Sequence, residues 1–299
     1  MIEYVNVNNK EYKFVIGNSK DDKYRKSFNA LTEKIFGFNF EQWYQNGYMK
    51  NQYIPYSLMN GEKVISNVSV NLMDMNVFGK SKRLIQLGTV MTDEAYRNQG
   101  LNKVILDKVI TDWHDKCDYI YLFANDSVLN FYPKFGFRKV DQYQCNKIIS
   151  QKVNGTYIKK LDMSDSGDRE LVYNKAYVST PIAKISMIGN AELIMFYCIT
   201  FMKDNIYYIQ EYDTIVIANY QQDILEVFGV FCTEEVSLDS ILDYLAKEDT
   251  KRVKLFFTPK EIDSYITTPL EGEDTLFILG EDTMLLSNEK FMFPSLSHT

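Results

Sequence analysis

Between an apolar run ending at Thr92 and another opening at Leu101 lies Tyr96-Arg97-Asn98-Gln99-Gly100, a loop whose residue types suit an anion. A loop that leaves a strand and opens a helix presents free backbone N–H groups at the positive end of the helix dipole. That arrangement favours a phosphate or pyrophosphate. Gly100 permits close backbone approach or a positive φ. Arg97 and the side-chain amides of Asn98 and Gln99 add donors. Taken alone, R-x-x-G also describes an ordinary capping turn.

Other chemistries have little to build on. The chain holds two histidines, His114 and His298, so an imidazole-rich metal site or a histidine relay would need one of those two. No G-x-S-x-G or H-E-x-x-H pattern occurs. The four cysteines, Cys117, Cys145, Cys198 and Cys232, form no C-x-x-C pair and read as buried single thiols in a reducing compartment. No metal is expected. A net charge of −7 without a long Lys/Arg run argues against nucleic acid as a partner, because phosphate neutralisation supplies most non-specific affinity. That charge would suit a cationic substrate better.

The 299 residues suggest two domains, and 45% apolar with 24% charged residues excludes a disordered or fibrous chain. With 22 Tyr and 19 Phe, the cores must be sizeable and ligand clefts aromatic. The N-terminus lacks the apolar core of a signal peptide. The most apolar stretch, Leu193 to Met202, is about ten residues, where a bilayer needs roughly 20. A soluble, cytoplasmic protein without membrane contact is expected; self-association into a homo-oligomer stays open.

Periodicity places the loop on its elements. Helices are expected over 22–36 and 40–48, and strands over 53–59, 64–78 and 83–91, the first two joined at Asn60-Gly61. A helix over 101–114, apolar on more than half its circumference, must pack on a sheet. A strand over 119–124, a helix over 126–135 and a strand over 137–148 complete the first half, and Asn154-Gly155 marks a joint. The second half repeats the order: strand 157–162, helices 169–177 and 191–202, and a strand pair turned at Tyr212-Asp213. The run Leu225 to Thr233 then echoes Leu84 to Thr92, each with a mid-strand glycine and each followed by a helix. Arg252 to Thr258 echoes Tyr119 to Ala124. The loop differs: Glu234 to Leu238 offers neither Arg nor Gly, so whatever the first loop binds, the second cannot bind in the same way.

Two stretches carry a family resemblance. Val90-Met91-Thr92-Asp93-Glu94-Ala95-Tyr96-Arg97-Asn98-Gln99-Gly100-Leu101 resembles the coenzyme A motif of the GNAT superfamily of N-acetyltransferases, V-x-T-x-x-x-Y-R-x-x-G-L. Phe131-Tyr132-Pro133-Lys134-Phe135-Gly136-Phe137 is similar to the F-Y-x-x-x-G-F signature that closes the fourth helix of that superfamily. The repeated architecture looks like the tandem-GNAT, Eis-like acetyltransferases, here without their third, sterol-carrier-like domain. The resemblance implies an α/β (α+β) fold of two GNAT-like mixed-sheet domains. Residues 1–150 would be the N-terminal acetyltransferase domain and 151–299 a degenerate GNAT-like copy.

It also implies roles. Val90, Met91 and Thr92 would face the pantetheine arm, with Asn125 on its other side. Arg97, Asn98, Gln99, Gly100, Leu101 and Asn102 would hold the pyrophosphate, although the family usually has Gly or Ala where Asn102 stands. Acetyl-CoA would be the co-substrate and Tyr132 the acid that protonates the leaving thiolate; a core tyrosine beside Phe131 is the alternative. The strand 83–91 bears Gln86 but no acid, so the base must come from elsewhere: Asp74, Glu33, the α-carboxylate of Thr299 as in Eis-like enzymes, or neighbouring His298, whose ordinary pKa is near 6.5. The implied function is acetyl-CoA-dependent N-acetylation of a primary amine on a small molecule or peptide. A non-catalytic acyl-CoA-binding or regulatory protein is the alternative. A tRNA-dependent aminoacyl transferase fits less well, given the intact loop and acidic charge.

Overall fold

The computed structural model describes residues 1–149, 157–272, 274–280 and 289–298. The chain begins with β1 (Ile2–Val7), β2 (Lys10–Ile16), α1 (Asp22–Phe36), α2 (Glu41–Gln45), β3 (Tyr53–Asn60), β4 (Lys63–Val77) and β5 (Lys80–Thr92). Next come α3 (Leu101–Trp113), β6 (Tyr119–Ala124), β7 (Arg138–Val140), β8 (Tyr143–Ile148) and β9 (Ile158–Lys160). α4 (Ser166–Val178), β10 (Ile185–Met187), α5 (Ala191–Thr200), β11 (Ile206–Ile209), β12 (Thr214–Gln221) and β13 (Ile224–Phe231) follow. α6 (Leu238–Leu245), β14 (Arg252–Leu255), β15 (Ile266–Pro269) and β16 (Thr275–Leu279) complete the elements.

These form two mixed sheets. The first runs β1-β2-β3-β4-β5-β6-β16-β7, with β10 also pairing β4; the second runs β15-β8-β14-β13-β12-β11-β9. Each has one parallel pair, β5 with β6 and β13 with β14, joined by α3 and α6 respectively. The echo between the two halves is therefore a shared strand–helix–strand connection. Sheet membership crosses the expected boundary both ways. β8 leaves the first half for the second sheet, and β16 returns between β6 and β7. The joint at Asn154-Gly155 lies outside the described residues.

Local chemistry explains most boundaries. Asp21 caps α1 by accepting from the Tyr24 N–H, and Gly37 ends it at φ +77. Asn60 pairs with Lys63 across a turn in which Gly61 takes φ +62. Asn8 and Asn9, both at positive φ, turn the β1–β2 hairpin that periodicity did not predict. Two expectations fail. Residues 126–135 form short 3-10 turns rather than a helix, since Pro133 lacks an N–H and biases Tyr132 away from α geometry. The strand expected over 137–148 is two strands in different sheets.

α3 buries Leu101, Ile105, Leu106 and Val109 on one face of the first sheet against Ile85, Leu87, Ile120 and Leu122. The other face carries Phe28, Phe40, Trp43 and Tyr53 and meets α5. Leu193 to Phe196 of α5 are all buried, and this core extends to Ile215 and Ile217 of the second sheet. A helix apolar all round is one packed on every side, which is what the apolar run in the sequence is for. No helix among the described residues is long and apolar enough to cross a membrane.

Candidate active site

The parallel pairing of β5 and β6 ends at Leu87 and Leu122. Beyond it Gly88–Thr92 and Phe123–Asn125 part company and line a cavity of about 840 Å³. On the β4 side the register jumps between Asn67 and Ser69, a bulge that puts Thr89 at φ +47. With no strand among the described residues on its β6 side, this stretch of β5 has backbone donors and acceptors left for a ligand.

The loop after β5 is firmly anchored. Asp93 accepts from the Ala95 N–H and from Lys63 Nζ at 2.6 Å. That lysine holds its carboxyl below the usual aspartate range. Asn98 and Gly100 take φ +60 and +78, and beyond the adjoining backbone no described atom lies within 4 Å of where a Gly100 side chain would begin. Gly100 caps α3 without a side chain, so the first N–H groups of the helix lack a capping partner. Leu101, Asn102 and Lys103 line the cavity.

Val90, Met91, Thr92, Arg97, Asn98, Gly100, Leu101, Asn102, Asn125 and Tyr132 all line this one cavity. Gln99 does not: its side chain accepts from Tyr12 Oη and donates to the Ala95 carbonyl, tying the loop to the first hairpin. Asn102 accepts from Ser66 Oγ at 2.7 Å, and Arg97 Nε donates to the Thr92 carbonyl. Thr299 lies outside the described residues. Of the other proposed bases, Asp74 is exposed and paired with Arg83, and Glu33 is exposed and accepts from Asn39; neither lines the cavity.

Tyr132 is 4% exposed, its ring against Phe131, Phe137 and Phe277, and its hydroxyl makes no hydrogen bond among the described residues. Burial, with the Asp274 carboxyl nearby, pushes it up to about 12. The ordinary pKa expected of His298 is overturned. Burial lowers it to about 3, and its buried Nε2 has no partner.

Sequence reasoning missed a buried polar network under the bulge. Ser57 Oγ donates to Asn67 Oδ1, Asn67 Nδ2 to Ser69 Oγ, and Ser69 Oγ to Tyr53 Oη. Tyr53 Oη then meets Thr89 Oγ1 at 2.9 Å. A buried phenol without an acceptor is costly, so Tyr53 donates to Thr89. The Thr89 proton is left without an acceptor among the described residues. Thr89 lines the cavity. A polar residue beside a mid-strand glycine was the only signal in the sequence.

The corresponding opening in the second sheet is filled by the chain itself. Ser295 N–H donates to the Phe256 carbonyl, and a Cβ built on Gly229 would meet Leu296 Cδ1 at 3.0 Å. The space left there is about 60 Å³.

The acetyltransferase (GNAT) domain family matches residues 18–140. Curated proteins give no match. Solved structures with this fold include a probable N-acyltransferase from Enterococcus faecalis V583, at TM-score 0.60 and 16% identity over 89% of this chain and 71% of that one. A GCN5-related N-acetyltransferase from Anabaena variabilis superposes at TM-score 0.58, and Eis1 from Mycobacterium abscessus at 0.57. Each is 12% identical over 89% of this chain and 72% of its own. Identities this low speak to the fold, while the family match covers β5, the loop, α3 and Tyr132. Residues 18–140 belong to the GNAT acetyltransferase family, and the protein is an acyltransferase built on that domain.

Proposed function

We propose that the protein is an acetyl-CoA-dependent N-acetyltransferase that acts on a primary amine by direct attack on the thioester. The observation that carries this is the gathering on one cavity of every residue the resemblance assigns to the coenzyme, apart from Gln99, together with Tyr132. Residues 1–150 and 151–299 would be two units of one ancestry, only the first of which binds coenzyme.

The residues suit the coenzyme. Unpaired N–H groups at the start of α3, the φ of Gly100 and the open space beside it form a cradle for a pyrophosphate. Gly88–Thr92 and Asn125 would flank the pantetheine arm. Acetyl-CoA supplies an activated acetyl group. The free edge of β5 and the Thr89 hydroxyl would donate to the carbonyl oxygen as negative charge builds there. Tyr132, neutral through the physiological range, would steady the departing sulfur by donating a hydrogen bond to it. His298 stays neutral and can accept a hydrogen bond from the amine as it attacks; the proton that the nitrogen loses ends on the departing sulfur, so the products are the amide and the free thiol. Release of free thiol from acetyl-CoA, dependent on an added amine and accompanied by the N-acetyl product, is the test. Coenzyme binding with no amine-dependent thiol release would leave a binding protein instead.

A further inference from the structure

The cavity has a second end, and it is aromatic. Phe36 enters it from the last turn of α1 and Phe38 from the segment after it, Phe196 and Tyr197 from α5, and Phe201 from just beyond. Their rings form one wall: Phe38 lies 5.9 Å from Phe196 and 5.3 Å from Phe201, and Phe196 lies 5.6 Å from Phe201. Tyr197 Oη donates to the His298 carbonyl at 2.7 Å, and the His298 ring stands edge-on to Phe123. Phe36 and Phe201 remain 44% and 49% exposed. Large rings left open beside a cavity mark a surface that an apolar ligand covers.

Charge points the same way. Asp274 is the one carboxylate among the described lining residues. It precedes Thr275, which pairs with Ala124, and it acts on Tyr132, so it belongs to the leaving-group end. Its own carboxyl is raised, by burial and by the charge of Asp126. No described acid stands at the aromatic end to receive an ammonium. A polycation seated there would lose water without gaining a counter-ion. The net charge of −7 draws cations to the surface but builds no seat for them here.

We infer that the acetyl acceptor is a primary amine carried on an aromatic or similarly flat apolar body, seated against Phe36, Phe38, Phe196 and Phe201 with its nitrogen toward Thr89 and His298. This rests on the amine-acetylation reading above. Aromatic rings meeting rings edge-on or offset add to the gain from burial. Continuity of this wall with the coenzyme end of the same cavity puts the amine within reach of the thioester.

The test uses the full chain with 2-phenylethylamine, ethylamine, spermidine and kanamycin as acceptors. Turnover is followed by thiol release, and amine binding to the coenzyme A complex by calorimetry. Burial of one phenyl ring should give 2-phenylethylamine a kcat/KM roughly ten- to a hundred-fold above ethylamine. Phe201→Ala, at a half-exposed position, and separately Phe38→Ala should collapse that ratio. Spermidine or kanamycin as the best substrate, or a ratio that survives both substitutions, would overturn the inference and leave acetyl transfer standing. Binding of 2-phenylethylamine that Phe201→Ala weakens, with no acetyl transfer to any amine, would keep the aromatic seat and overturn the transfer reading. Neither binding nor turnover of 2-phenylethylamine, beside turnover of other amines, also refutes the inference.

Discussion

Replacing Tyr132 by Phe removes one oxygen atom and little else. The hydroxyl has no hydrogen-bond partner among the described residues, so its loss orphans nothing. The ring keeps its neighbours at 5.3 Å (Phe131), 5.8 Å (Phe277) and 6.0 Å (Phe137). Stability should therefore change by no more than about 0.5 kcal/mol. Tyr132→Ala, by contrast, empties a buried aromatic site and should cost about 3–5 kcal/mol. The kinetic effect is set by proton affinity. A positioned acid is worth about 10²–10⁴ in rate. With Tyr132 at about 12, a donor facing a thiolate of ordinary pKa near 8.5 is some three units too weak to complete the transfer. It stabilises the departing sulfur by a strong hydrogen bond, so the loss belongs near the lower limit, about 10² in kcat. Thiol release under saturating coenzyme, with calorimetry for coenzyme affinity and a thermal melt, separates these effects. Turnover within about threefold of wild type would return Tyr132 to the core, since a working acid at the low end is worth about 10². A large fall in coenzyme affinity would make it a binding residue instead.

Three further outcomes follow from the geometry. Calorimetry should find one coenzyme site per chain, and Gly100→Val should abolish it, because φ +78 strains any side chain and the open space beside it is where the proposed site would seat the phosphates; two equivalent sites, or unchanged affinity, would contradict this. Tyr53→Phe leaves the Ser69 and Thr89 hydroxyls without their partner, so it should cost about 1–3 kcal/mol in urea denaturation and slow turnover; an unaltered melt and rate would show that the network is idle. Burial lowers His298 to about 3 from 6.5, so below pH 6.5 the unfolded chain takes a proton that the native ring refuses. This contribution is complete above pH 6.5 and is lost progressively as pH falls toward 3. His298→Phe should flatten that part of the stability curve, and parallel wild-type and variant curves between pH 7.5 and 5 would refute the burial of the ring.

Much of the loop-and-helix end of the cavity was legible in the residues themselves because it is local. An anion loop is built from consecutive positions, and its demands for a strand before it, a glycine at positive φ and a helix after it all fall within Val90 to Leu101. The same holds for α1, for the Asn60-Gly61 turn and for the parallel connection repeated around α3 and α6. Periodicity and turn chemistry act over a few residues, and there the expectation and the structure agree closely. Where local rules competed, the reading slipped. Pro133 broke the helix expected over 126–135, and Asn8-Asn9 turned a hairpin that periodicity did not predict.

The acceptor end was not legible, because no local pattern links its parts. Phe38 and Phe196 are 158 positions apart and meet only because α5 packs between the two sheets. His298 takes its place because the segment from Phe291 threads back through the core, against Tyr121 and Tyr197. The same segment closes the second sheet's opening against Gly229, where Leu296 fills the space that stays open beside Gly88 in the first sheet. Strand exchange has the same origin. Which sheet receives β8 or β16 depends on which edge offers unpaired backbone groups and matching apolar faces, and those edges exist only once the rest of the fold has formed. Residue order determined the anion-suited loop and the elements on either side of it; packing over long separations decided what stands beside them.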